Sequence, residues 1–421
     1  MTYLNTTPIF NYHISGVSEP ITKQSSLWNT PFLGKGAEGI FLHEYFELAE
    51  KFIKSNNCLI NYIKDIEIQD IEQISISLEK HGAFYHPAKV EVLLSISKEL
   101  PCELPIESIG SIKDEQPKLS TQLSKSPILF VLNTAVSAYG LALIYNEYDT
   151  LKYLGQFDKN GYLPKVFSVE TMRCRGFKIA FLLGTWFDGY KEFHLTDNSK
   201  DLISSASTLN FWNSDGSITP YPASKYFEIY DKASEILTYF YNIKTFEHIA
   251  PWHHAAGDFI AKPFINVVDG EIDGFDVKLI TIRGYKPIVE ISSDDEEDIY
   301  KALLLFFLNL TLRMRIDRID GTGRWCLVDE AVMPFIIKGF FNGLKNRQID
   351  SFVDSFKSYL SQFSHENLYQ ILLIMIETID FYNTNNIHEN FYENTPEIQF
   401  IKNNLKSHSE ALFYSISNIL L

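Results

Sequence analysis

The densest group of side chains able to move a proton or hold a metal is FEHIAPWHHAAGDF, which sets His248, Trp252, His253, His254 and Asp258 in one short stretch. Imidazole titrates near neutrality and a nearby carboxylate can orient it, so the group can act as a general base pair or as metal ligands. HExxH spacing, which would place two imidazoles on one helix face, is absent. Adjacent His253 and His254 point in different directions, so the simpler reading puts one in the core and one in solvent. A second group, GKGAEG, spaces Gly34, Gly36 and Gly39 as GxGxxG before a helix, where backbone N–H groups can face a pyrophosphate. The strand such a loop needs before it is poor, since SSLWNTPFL contains Pro31, and a turn permitted by glycine is the simpler reading.

Two further clusters admit both a functional and a structural reading. In TWFDGYKEFH, the residues Trp186, Asp188, Glu192 and His194 either line a substrate cleft or divide into core aromatics and surface charges. In LRMRIDRIDGTGRW, Arg313, Arg315 and Arg318 could clamp a phosphate or carboxylate. Pairing with Asp317 and Asp320 in an ion network is the commoner outcome for arginines so placed.

The elements that must position these groups follow from periodicity. IFLHEYFELAEKFIKS places Phe41, Tyr45, Leu48 and Phe52 at helical spacing after the glycines. DIEIQDIEQISISLEK and KVEVLLSI alternate as half-buried strands, and the Pro-, Ser- and Lys-rich stretch 99–126 reads as a linker. PILFVLNTAV and KIAFLLGTWF are buried strands on either side of a helix in ALIYNEYDTLKYL. A helix is expected over KYFEIYDKASEILTYFYNIKTFEHI, running into PWHHAAGDF. VKLITIR alternates with both faces largely apolar, as a mostly buried strand does. The acidic loop SSDDEED complements the dipole of the helix it precedes, and residues 299–421 read as mainly helical.

In this order, the helix bearing Glu147, LPKVF, the strand and turn FLLGTWFDGYKEFH, the loop AGDFIAK and the strand VKLITIR resemble the protein-kinase-like superfamily, in particular its aminoglycoside and small-molecule phosphotransferase branch. The likeness runs over residues 80–345. It implies an α+β, two-lobed kinase-like fold with a mainly helical C-terminal lobe: an N-terminal extension over 1–79, a smaller α/β lobe over 80–190 and a larger lobe over 191–421. It implies binding of a nucleotide or phosphorylated small molecule between the lobes, ATP and Mg as cofactors, and a small-molecule or protein phosphoacceptor.

Carried across residue by residue, Gly257-Asp258 match the Gly-Asp of the catalytic loop, with Asp258 as catalytic base and His253 and His254 beside it. Glu147 matches the helix carboxylate that partners a strand lysine, but Asn133 stands where that lysine is expected. Thr281 stands where the metal-binding Asp is expected, and the nearest Asn after Asp258 is Asn266. Trp186 and Lys262 complete the cofactor-binding set with Asn133, Glu147 and Thr281. Phosphoryl transfer needs a cation at the phosphates and carboxylates on the metal. The departures therefore imply either an atypical phosphotransferase, with Lys89, Lys262, Asp273, Asp276 or Glu290 substituting from displaced positions, or a pseudokinase. Two other classes remain open: a metal-dependent enzyme on His248, His253, His254 and Asp258, or a non-catalytic protein docking through its helical C-terminal region.

Composition bounds these readings. The chain has 421 residues, 45% hydrophobic and 21% charged, with 37 Lys and Arg against 53 Asp and Glu for a net charge of -16. That suits a globular protein of two or three domains. The acid excess and the lack of a dense basic patch argue against nucleic acid as the partner. Cys58, Cys102, Cys174 and Cys326 show no CxxC pairing, which fits free thiols in a reducing compartment. The longest apolar run, ALLLFFLNLTLRMRI, is shorter than the roughly 20 residues a bilayer requires, so no membrane span and a cytoplasmic location are expected.

Overall fold

The computed structural model describes residues 8–33, 39–55, 59, 70–82, 84–95, 127–196, 208–213, 217–221, 223–252, 257–266, 272–289, 295–319, 324–347, 350–378 and 396–420. The chain is α+β and divides into two compact units, one of Met1–Ile144 with Val166–Trp186 and one of Tyr145–Lys165 with Phe187–Leu421. The expected linker at 99–126 lies outside the described residues, as do Gly34, Gly36, His253, His254, Glu290 and Asp320.

The first unit is built on a six-stranded sheet. Its strands are β1 (Ile9–Ile14), β2 (Asp70–Leu78), β3 (His86–Ser95), β4 (Ile128–Ala135), β5 (Val166–Cys174) and β6 (Phe177–Thr185), in the order β1-β2-β3-β4-β6-β5. β1 runs parallel to β2 and the other pairs are antiparallel. Helix α1 (Leu42–Ser55) buries Leu42, Tyr45, Phe46, Ala49, Phe52 and Ile53, the spacing of one helix face. These residues join Ile74, Ile76, Val90, Phe130, Leu132 and Phe181 in one core. Residues 1–79 were expected as an extension. Instead β1 and β2 supply two strands of this sheet, because period-two apolar residues at Ile74, Ile76 and Leu78 need the same core as β3 and β4. Helix α2 (Ala138–Leu154) follows β4.

The second unit carries small sheets among helices. β7 (Phe193–Thr196), β8 (Thr208–Trp212) and β9 (Ile218–Tyr221) form one sheet. Helix α3 covers Ala223–Tyr239, shorter than the sequence reading, and β10 (Glu247–Ile249) occupies what was expected as its last turns. The reason lies in the intervening turn: the Asn242 side chain accepts from the Lys244 N–H at 3.0 Å, and Phe246 adopts φ 59°. β11 (Phe259–Ile265) and β12 (Ile272–Leu279) form an antiparallel hairpin, and β13 (Tyr285–Pro287) pairs with β10.

Helix α4 (Glu296–Arg315) starts at the N-cap Asp295 and leads into the hairpin β14 (Ile316–Arg318) and β15 (Trp325–Leu327). Helices α5 (Met333–Asn346), α6 (Asp350–Leu360), α7 (His365–Thr378) and α8 (Pro396–Leu420) follow. On α5, Gly339 and Gly343 lie against α3 so closely that a Cβ at Gly339 would stand 2.0 Å from the Asp231 carbonyl oxygen, and one at Gly343 would stand 2.6 Å from that of Glu235. The Ser234 hydroxyl donates across this contact to the Ile336 carbonyl at 2.7 Å. Among the described residues no helix is long and apolar enough to cross a membrane.

Candidate functional site

In the second unit Asp258 sits at the entry to β11, 2% exposed, and its carbonyl accepts from the Ile280 N–H at 2.8 Å. Its carboxylate is gripped by both terminal nitrogens of Arg283: Nη1 on Oδ2, and Nη2 on Oδ1 at 2.6 Å. The geometry is the bidentate fork that makes Arg–carboxylate pairs both strong and directional. Gly257 has φ +87°, a conformation open to glycine, and a Cβ there would lie 3.4 Å from the Glu192 carboxylate. The segment after β12 is held from α2. Glu147, 2% exposed, accepts from the Ile282 N–H at 3.1 Å, and the Asn146 side-chain amide donates to the Arg283 carbonyl at 2.9 Å.

This arrangement gives two of the expected site residues partners that the resemblance did not imply. As a base, Asp258 would direct a carboxylate lone pair at an acceptor hydroxyl; here Arg283 takes one acceptor site on each oxygen. Glu147 was expected to partner a strand lysine and instead bonds a backbone N–H. Thr281 lies beyond the end of β12, half-buried, because the strand stops at Leu279. Sequence reasoning gave no role to Arg283. The available signal was a lone cation two residues past the position expected to carry a carboxylate.

A second cluster forms on the β11/β12 hairpin, where Lys262 stands opposite Asp276 in register. Asp276 accepts from the Tyr190 hydroxyl at 2.5 Å and pairs with Lys278 Nζ at 3.1 Å. Lys262 and Lys278 place their ammonium groups 5.8 and 5.7 Å from the Tyr190 ring centre. Two of the displaced substitutes named from sequence, Lys262 and Asp276, thus share one face. Lys278, which sequence reasoning passed over, joins them.

The third cluster gathers Glu192, His194 and Asp317. His194 Nε2 lies 3.7 Å from Glu192 Oε2, and the His194 ring meets Trp212 at 5.4 Å. Asp317 is buried on β14, accepts from the Arg318 N–H at 2.7 Å, and burial pushes its carboxyl up to about 7 against the opposing pull of that bond and of His194. The charge of Arg318 also acts on Asp317, and Asp320 lies outside the described residues. The Arg315 guanidinium is buried, with Nε donating to the Val328 carbonyl at 3.0 Å and Nη1 3.5 Å from His408 Nδ1, while Arg318 lies over the Trp325 ring.

In the first unit, Asn133 is half-buried on β4 opposite Pro87 and Leu182. Lys89 on β3 pairs with Glu91 at 2.9 Å, and its ammonium is 6.0 Å from the Trp186 ring centre.

The His248 imidazole is 2% exposed, packs edge-on to Phe306, and is pulled down by burial to about 4. Its environment is that of a core histidine. Among the described residues no three His, Cys, Asp or Glu side chains are grouped to hold a metal ion. No family model matches the chain, and no curated protein matches it significantly.

Proposed function

We propose that the chain is a protein-kinase-like protein that binds a nucleotide or another phosphorylated small molecule, and that it is a pseudokinase in which Asp258 serves the structure. The observation that carries this reading is the fork between Arg283 and the buried Asp258 carboxylate. It leaves that carboxylate bonded to a cation where transfer chemistry needs it on an acceptor or a metal. Supporting the kinase-like part is the order of pieces: β4, a helix bearing Glu147, β6, Gly257-Asp258 and β12 follow one another as the resemblance implies. Asn133 and Thr281, at the lysine and metal-carboxylate positions, support the loss of transfer.

Thermal unfolding in the presence of ATP, with and without magnesium, tests it together with a phosphate-release assay. The expected result is an upward shift in Tm with nucleotide and no turnover. In Asp258→Asn the nucleotide shift persists, while the protein loses about 3–5 kcal/mol of stability because the Arg283 charge is left without its partner. ATP turnover that disappears in a stable Asp258→Asn variant, or a Tm indifferent to every nucleotide, would overturn the reading.

A further inference from the structure

Antiparallel pairing places directly opposed residues on one face of a sheet, and in the first unit this sorts the two faces of β3 and β4. Ala88, Val90, Phe130 and Leu132 point into the core. Ser77, Lys89, Val131 and Gly184 form one row across β2, β3, β4 and β6 on the other face. Pro87, Asn133 and Leu182 form the next row. Lys89 is therefore the diagonal neighbour of Asn133, at the ~7–8 Å separation that long side chains bridge. On the far side of Lys89 the backbone N–H of Trp186 bonds the Leu129 carbonyl at 3.4 Å, in the row of Glu91.

We propose that Lys89 supplies, from the neighbouring strand, the phosphate-binding cation that Asn133 cannot, and that this sheet face holds the phosphates of a nucleotide. The inference rests on the kinase-like reading for the identity of the ligand, but the cation and its place come from the register. Glu91 occupies one of the three ammonium donors and fixes the side chain, leaving two for phosphate oxygens. Glu79 is a second carboxylate within electrostatic reach of Lys89, and burial pushes its carboxyl up. The Asn133 amide adds a neutral donor one row away, and the Trp186 ring offers a planar face for the base.

Calorimetric titration of the full chain with ATP and with inorganic triphosphate tests this on the wild type, Lys89→Met, and the double variant Lys89→Met/Asn133→Lys. Lys89→Met keeps the aliphatic stem, and its unfolding temperature should match the wild type within a few degrees, since a half-exposed ion pair contributes little. The expected result is at least tenfold weaker binding of both ligands in Lys89→Met and recovery in the double variant, where the cation returns on the adjacent strand. Binding of both ligands unchanged by Lys89→Met overturns the proposal and leaves the kinase-like reading intact. Lys89-dependent binding of triphosphate with none of ATP upholds the phosphate site while removing the nucleotide reading. No binding of either ligand to the wild type overturns both.

Discussion

At the scale of the residue, the chain places buried charge in two different ways. Asp258 was visible in the sequence because a Gly-Asp pair follows a helix and precedes a strand, but its partner was not, since nothing in the spacing of Asp258 and Arg283 says that they meet. Asp317, which sequence reasoning placed in an ion network with nearby arginines, is buried on β14. Its folded-state pKa, about 7, stands above the value near 3.9 of an unfolded Asp, so the folded state holds the proton longer. The stability this contributes is complete below about pH 4 and is lost as pH rises through about 7. Chemical denaturation at pH 5 and pH 8 should show Asp317→Asn gaining stability relative to the wild type over that interval, since the variant lacks the Asp317 loss. An equal change in the two proteins would mean that Asp317 titrates normally in the fold.

At the scale of the element, helices with one apolar face and strands with strict alternation were readable. α1 and β3 fall where periodicity puts them, because burial of a single face is written locally. α3 was read too long because an aromatic-rich run continues past the point where the Asn242 turn ends the helix. Local apolar content cannot distinguish a last helical turn from a short strand. The contact between α3 and α5 was equally hidden, since Gly339 and Gly343 look like weak points in a helix until the partner backbone is seen against them. Gly339→Ala should therefore destabilise the protein by about 1–3 kcal/mol through overpacking, although alanine favours a helix. Gly343→Ala should cost less, in keeping with its longer approach. Urea midpoints of the two variants check the order, and a stabilised Gly339→Ala would show that the helices separate easily.

At the scale of the whole molecule, the order of strands and helices anticipated an α+β chain, while the place of Tyr145–Lys165 in the second unit was hidden because it depends on contacts across long stretches of sequence. Part of the acid response has an identifiable origin in two buried histidines. His248 and His408 are buried, with pKa values drawn down to about 4 and about 3, mainly by burial. Both are depressed below the unfolded value near 6.5, so the stability linked to them is complete above that pH and declines as pH falls, by about 1.4 kcal/mol per pH unit for each proton taken up on unfolding. His408→Gln should lower the slope of stability against pH between pH 6 and pH 4 by about 1.4 kcal/mol per pH unit in denaturation curves. A slope identical to wild type would show that His408 is protonated in the native protein.

The strand order of the first unit bears on how the chain is made. β6 leaves the ribosome after β5, yet it lies between β4 and β5 and hydrogen-bonds to both. Until Phe177–Thr185 emerges, one edge of β4 stays without the neighbour that will cover it, for an interval on the order of seconds at ordinary rates of elongation. A nascent chain stalled just short of Phe177 would present that open edge, a natural binding place for a chaperone and a seed for misassembly between polysomal neighbours.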